Sequence, residues 1–167
     1  MKTIRYLAYG SNLHPARIGA RLGAITFIGT AELPGWALRY HKSSEDGSGK
    51  CNLIADRSSL AYGAVYEFSI ENKQHLDTIE GVGRGYRDTC IELREFGNTW
   101  VYLAQPSHVD DRLIPYDWYH AFVARGAQHH NFPTAYVDAI NRVEIIRDLN
   151  EKRRTENMAI ANSVTVV

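Results

Sequence analysis

The sequence predicts an α+β fold: a small mixed, strongly curved and barrel-like β-sheet with flanking helices. Short alternating apolar runs, separated by turns rich in Gly, Pro, Asn and Ser, recur through the first two thirds of the chain. Apolar residues at helical spacing gather late, after Tyr116, and one or two helical patterns interrupt the strands. The links between successive strands look antiparallel, which suits an α+β arrangement better than alternating βα units.

The first strand is read from Ile4 to Tyr9, ending in Tyr9-Gly10-Ser11-Asn12-Leu13. Gly10 admits backbone angles that a side chain disfavours, and Ser11 and Asn12 can cap a helix. Pro15 to Leu22 is that helix, with Gly23 at its exit. Strands follow over Ile25 to Glu32 and, after a Pro34-Gly35 turn, over Trp36 to Tyr40. Ser43 to Lys50 reads as a mobile loop. Its Gly-Ser-Gly-Lys lacks the rest of a P-loop, with no Ser or Thr after the Lys and no helix beyond.

Asn52 to Ala55 and Ala61 to Phe68 supply two more strands, and a helix then begins at Ile70 with Gly81 as its C-cap. A bend through Gly81, Gly83 and Gly85 leads into a hairpin, Tyr86 to Leu93 and Thr99 to Ala104, turning at Phe96-Gly97-Asn98. Pro106 to Pro115 is a loop, Tyr116 to Ala127 a helix ended around Gly126, and Pro133 starts another with an apolar stripe of Tyr136, Val137, Ile140, Val143 and Ile145 or Ile146. One domain therefore covers 1–149, and 150–167 is a charged, solvated C-terminal extension.

Lys plus Arg and Asp plus Glu number 19 each in 167 residues, so no net field draws the chain to nucleic acid or an acidic membrane surface. Cys51 and Cys90 form no C-x-x-C pair and read as buried, reduced thiols. No leader-like segment and no membrane-spanning stretch is visible, which points to a cytoplasmic location.

Two stretches carry chemistry. In the first, successive N–H groups around Gly10 to Asn12, backed by a helix start, suit a carboxylate, a phosphate or a developing oxyanion; a strand, turn and cap without a ligand fits the same pattern. In the second, Glu80 ends a helix whose other face is apolar, just before a glycine-rich bend. The negative helix end and burial both disfavour its ionised form, which suits a group that exchanges a proton near neutral pH; a solvated glutamate before a C-cap is the plain alternative. Ser11 lacks a nucleophile elbow. His129-His130 cannot share a metal, and His41, His75, His108 and His120 show no ligand spacing, so no metal site is expected. Arg39, Arg84 and Arg87 are surface arginines able to hold a carboxylate. Tyr102 and Tyr119 fall where a strand end and a helix start meet a pocket.

Together, Tyr9-Gly10-Ser11-Asn12-Leu13 and Glu80-Gly81-Val82 with Gly85-Tyr86 resemble the gamma-glutamylcyclotransferase-like (AIG2-like) proteins. Gly63-Ala64-Val65-Tyr66, Tyr102-Leu103, Pro115-x-x-x-Tyr119, Gly126-Ala127 and Pro133 extend the resemblance over Tyr6 to Ile146. It implies a small mixed barrel in which turn and glutamate face one cavity. It further implies a reaction in which the α-amine of a gamma-glutamyl compound attacks its own γ-amide, giving 5-oxoproline and a free amine or amino acid, as in glutathione metabolism. Glu80 matches the general acid/base, and Tyr9, Gly10, Ser11, Asn12, Leu13, Tyr119 and Tyr102 match substrate-binding positions. No cofactor is implied, and the chain would be a monomer or homodimer with a small gamma-glutamyl substrate. The alternative is a non-catalytic domain of the same fold that binds a carboxylate metabolite. Arg84, Ser43 to Lys50 and the tail depart from the family pattern, leaving the group attached to the gamma-glutamyl unit open.

Overall fold

The computed structural model of the protein describes residues 2–163. Its strands are β1 (Thr3–Ala8), β2 (Thr26–Ser43), β3 (Gly49–Ser69), β4 (Tyr86–Leu93) and β5 (Gly97–Ala104), in the sheet order β2-β3-β1-β5-β4. β1 pairs antiparallel with β3 and parallel with β5, and the other pairs are antiparallel hairpins. The sheet is mixed, as the sequence predicts. The sheet is open, with β2 and β4 as its edges. β1 lies in the middle, which is why Leu7 and Ala8 are fully buried where the strand reaches the binding turn.

The four short strands expected between Ile25 and Phe68 are two long ones. Pro34-Gly35 does not turn the chain: it forms a bulge, with the register shifting between Pro34 and Trp36 and Gly35 at a φ of 81°. Proline is tolerated there because β2 is an edge strand. The expected mobile loop shrinks to a tip over 44–48, since Lys42 pairs with Lys50 and Ser43 with Gly49. Asp46 braces that tip, accepting from the Ser48 N–H at 2.9 Å and from Lys50 Nζ at 2.8 Å. Lys50 thus has a carboxylate partner already.

The helices are α1 (Pro15–Leu22), α2 (Ile70–Glu80), α3 (Asp117–His129), α4 (Thr134–Asn141) and α5 (Glu151–Asn162). Ser69 caps α2 by accepting the Asn72 N–H, and Gly81 ends it at φ 73°, ψ 49°. α3 runs through Gly126 instead of stopping there. The glycine serves close packing: a Cβ on it would lie 2.5 Å from Leu13 Cβ and 2.7 Å from the Leu13 carbonyl carbon. α4 keeps Tyr136, Val137 and Ile140, but Val143, Ile145 and Ile146 lie past its end. Ile146 instead returns to Tyr116, its N–H donating to the Pro115 carbonyl at 3.1 Å.

The segment read as a solvated extension is, over α5, a capped helix packed on α3 and α1. Its Arg153 grips the buried Asp148 at 2.6 and 2.7 Å, and Asp148 also accepts from Trp118 Nε1 at 2.8 Å. A charged run can therefore be anchored when its charges pair; residues 164–167 lie outside the described residues. Cys51 is buried as expected. Cys90 is exposed, because it faces outward from the edge strand β4. Among the described residues no helix is long and apolar enough to cross a membrane.

Two outcomes follow from this packing. Gly126→Ala gains about 1 kcal/mol of helix propensity. It also forces a methyl against the Leu13 backbone, costing about 1–3 kcal/mol. The clash is with main chain that cannot step aside, so urea denaturation should show a net loss. His130 sits between Phe27 and Phe132, with Nε2 3.0 Å from the Leu13 carbonyl, and burial pulls its pKa from 6.5 to about 4. Between those values the unfolded chain binds more protons than the folded one, so stability must fall as pH drops from 6.5 towards 4. With solvent screening allowed for, the loss is about 1–2 kcal/mol, and a His130→Gln variant should lack that part of the pH dependence in parallel denaturation curves.

Candidate active site

β1 hands the chain to Tyr9, Gly10 and a 3₁₀ turn over Ser11–Leu13. Gly10 has a φ of −114°, so left-handed backbone is not what requires glycine here. Room is: a Cβ would come within 2.8 Å of Cys51 Cβ and 3.3 Å of the Tyr119 hydroxyl. The Leu13 N–H donates to the Gly10 carbonyl at 3.0 Å and the His14 N–H to Ser11 at 3.2 Å. The N–H groups of Ser11 and Asn12 come before any carbonyl this short turn can offer them. Neither side chain caps α1, whose N-cap is His14. Ser11 Oγ accepts from Arg17 Nε at 3.1 Å instead.

Asn12 links the turn to α2. Its Nδ2 donates to Glu80 Oε1 at 3.0 Å and to the Tyr6 hydroxyl at 3.0 Å, while its Oδ1 accepts from Arg21 Nη1 at 2.9 Å. Arg21 Nη1 also donates to Glu80 Oε1 at 2.7 Å, so Asn12, Arg21 and Glu80 close a ring of hydrogen bonds from three elements. The Glu80 side chain is 16% exposed. It stands at the negative end of α2, and Arg21 supplies the compensating positive charge.

Around this ring lies a small cavity of about 30 Å³ lined by Tyr6, Tyr9, Tyr86, Tyr102 and Tyr119 with Gly10 to Asn12, Cys51 and Glu80. Burial pushes all five phenols above their usual range, so each is a neutral donor or acceptor at physiological pH. Tyr119 and Tyr86 hold both backbone polar groups of one residue: the Tyr119 hydroxyl accepts the Cys51 N–H at 2.9 Å, and the Tyr86 hydroxyl donates to the Cys51 carbonyl at 2.5 Å. Tyr9 donates to the Tyr102 carbonyl, and the Tyr102 hydroxyl to Asp77 at 2.7 Å. The Cys51 thiol, pushed up to about 12 by burial, is no nucleophile. Glu80 also borders a larger cleft of about 570 Å³ between the β2–β3 tip, the end of α2 and the bend at Arg84.

Of the residues singled out in the sequence, Tyr9, Gly10, Ser11, Asn12, Glu80, Tyr102 and Tyr119 surround one cavity. Leu13 does not; it is fully buried against Gly126. Arg84 lines the larger cleft, whereas Arg39 and Arg87 are exposed elsewhere. Sequence reasoning missed Tyr6, Tyr86 and Arg21 as site residues. The signal for Arg21 was available: Arg17 and Arg21 lie four apart on a helix that turns back over Ser11 and Asn12. Among the described residues no cluster of His, Cys, Asp or Glu could hold a metal ion.

Residues 61–140 match the model of the AIG2-like family. No curated protein matches the chain by sequence. Among solved structures, a gamma-glutamyl cyclotransferase superposes with a TM-score of 0.80 at 22% identity, covering 93% of this chain and 99% of that one. An uncharacterized Homo sapiens protein gives 0.83 at 23%, covering 98% and 100%. YkqA of Bacillus subtilis gives 0.73 at 19%, covering 87% of this chain and 57% of the other. The chain therefore shares the fold of these structures, and its residues 61–140 match the AIG2-like sequence pattern.

Proposed function

We propose that the protein is a cofactor-independent gamma-glutamylcyclotransferase that uses Glu80 as its general acid/base. The observation that carries this reading is the position of one carboxylate, held by Asn12 and Arg21, at the junction of a tyrosine-lined cavity and an open cleft. The small cavity admits the tip of a polar head group, an ammonium or a carboxylate oxygen, and the cleft has room for the remainder.

In this mechanism the α-ammonium of the gamma-glutamyl group gives a proton to Glu80, and the freed amine attacks the γ-carbonyl carbon. The new C–N bond closes a five-membered ring; the old amide C–N bond breaks as the leaving nitrogen takes the proton from Glu80, and Glu80 then relays the second proton of the ring nitrogen to the released amine, which departs as an ammonium. No electrons are exchanged and no water enters. Holding the flexible glutamyl chain in a ring-closing shape removes in advance the entropy of bringing amine and carbonyl together. The N–H groups of Ser11 and Asn12 serve the α-carboxylate or the oxyanion, and neutral tyrosine hydroxyls stabilise developing charge without competing for the proton. Arg21 is a positioning residue in this scheme, since it acts through Glu80 and Asn12.

Incubation with a panel of gamma-glutamyl amino acids and amines should release 5-oxoproline, detected by mass spectrometry. Glu80→Gln should lower that rate by about 10²–10⁴-fold with thermal unfolding little changed; an active variant rules the mechanism out. Reversible binding of the same compounds without turnover would instead assign a carboxylate-binding domain. Arg21→Met should lower kcat by about tenfold or more and alter its pH profile, because a purely structural arginine would affect stability and leave the profile in place.

A further inference from the structure

Lys42 has a placement that the scheme above does not use. It is 7% exposed, yet its ammonium has no carboxylate within ion-pairing distance among the described residues. Its Nζ lies 4.5 Å from the centroid of the Tyr86 ring, which also lines the inner cavity, and it borders the outer cleft beside Glu80 and Arg84. A desolvated ammonium without a partner is costly, and burial lowers the pKa of this one. Of the two carboxylates on the tip, Glu45 lines the same cleft but is exposed and makes no ion pair with Lys42, and Asp46 is occupied by Lys50.

Two backbone features deliver Lys42 there. The register shift between Arg39 and Lys42 lets the consecutive residues His41 and Lys42 both be buried, where an unbroken strand would send one outward. His41 turns to Asn52 and Asp111 at 2.9 and 2.6 Å, and Lys42 turns to the cleft. Gly85 then leaves the space the lysine occupies, because a Cβ on it would lie 2.8 Å from Lys42 Cε and 2.9 Å from Nζ. Bulge and glycine together hold at the mouth of the site a cation that Glu80, Asp46 and Glu45 stabilise from a distance and that makes no direct ion pair among the described residues.

We infer that Lys42, assisted by Arg84, forms an anion subsite for a carboxylate on the departing amine, so that gamma-glutamyl amino acids are selected over gamma-glutamyl amines. This rests on the cyclisation reading and deepens it. The head group is held on the inner side of Glu80 by the Ser11–Asn12 turn; Lys42 is on the outer side, where the leaving group must lie.

The test pair is gamma-glutamyl-alanine and gamma-glutamyl-ethylamine, which differ by that one carboxylate. The wild-type protein should favour the first in kcat/KM by about ten- to a hundredfold, and Lys42→Met should reduce that ratio by a similar factor. Equal use of both by the wild-type protein, or a Lys42→Met variant that loses both alike and keeps the ratio, overturns the subsite. The wild-type ratio needs no variant to fold. If neither compound yields 5-oxoproline, calorimetric titration of the same two into wild-type protein separates the cases: preferential binding of the alanine compound upholds the subsite while the catalytic reading fails, and equal or absent binding rejects the subsite as well.

Discussion

Everything in the site depends on how tightly the Ser11–Leu13 turn is held. A single 3₁₀ turn has poor hydrogen-bond geometry and does not hold its own shape in isolation. Here it is gripped from several sides. Gly126 lets α3 come within contact of the Leu13 main chain, His130 bonds the Leu13 carbonyl, Arg17 fixes Ser11, and Asn12 reaches Glu80 and Arg21. The helices α1, α2 and α3 therefore meet at three residues of chain, and the carboxylate takes its position from the same contacts that fix the turn. A fault in α3 packing is transmitted directly to Glu80.

The surroundings of that carboxylate are consistent with one acidic group serving the proposed reaction. Asp77, one helical turn before Glu80, is held by Lys73 at 2.7 Å and by the Tyr102 hydroxyl, so it lies out of the exchange. The phenols are kept protonated by burial and offer hydrogen bonds without charge, and Cys51 is kept as a thiol by the same cause. In a water-poor aromatic wall each hydrogen bond is electrostatically stronger than at the surface. In the proposed reaction the proton would pass through the one carboxylate that borders both the cavity and the open cleft.

The turn and Glu80 were legible because their signals are local: a strand ending in Gly-Ser-Asn, and a helix whose C-cap glycine directly follows the acid. Tyr86 was hidden because its partner, Cys51, lies 35 positions away; for Arg21 the helical spacing to Asn12 was readable, but the tie to Glu80, 59 positions away, was not. Leu13 was placed in the site by its neighbours in the motif, although its own chemistry sends it to the core. Pro34-Gly35 and Gly126 were misread for one shared reason. Proline and glycine usually end elements, but an edge strand has no ladder bond to lose at Pro34, and a helix crossing a main chain at contact distance needs a residue without Cβ. Such exceptions are tertiary facts. The sheet's failure to close follows likewise from how β2 and β4 end up at opposite edges, which alternation within a strand does not encode.

The division between strands has a further consequence. The turn that would anchor the glutamyl head hangs from β1, in the middle of the sheet and paired on both sides, where a change in register would disturb the whole core. Lys42 hangs from β2, an edge strand already interrupted by bulges, close to a hairpin tip braced mainly by Asp46. An edge ribbon can gain or lose a bulge while its neighbours keep their register, and each such shift exchanges the side chain presented to the cleft. In the proposed reaction chemistry and selectivity would thus be mechanically separate: the turn that positions Glu80 hangs from the sheet's centre, and Lys42 hangs from the edge strand most free to vary.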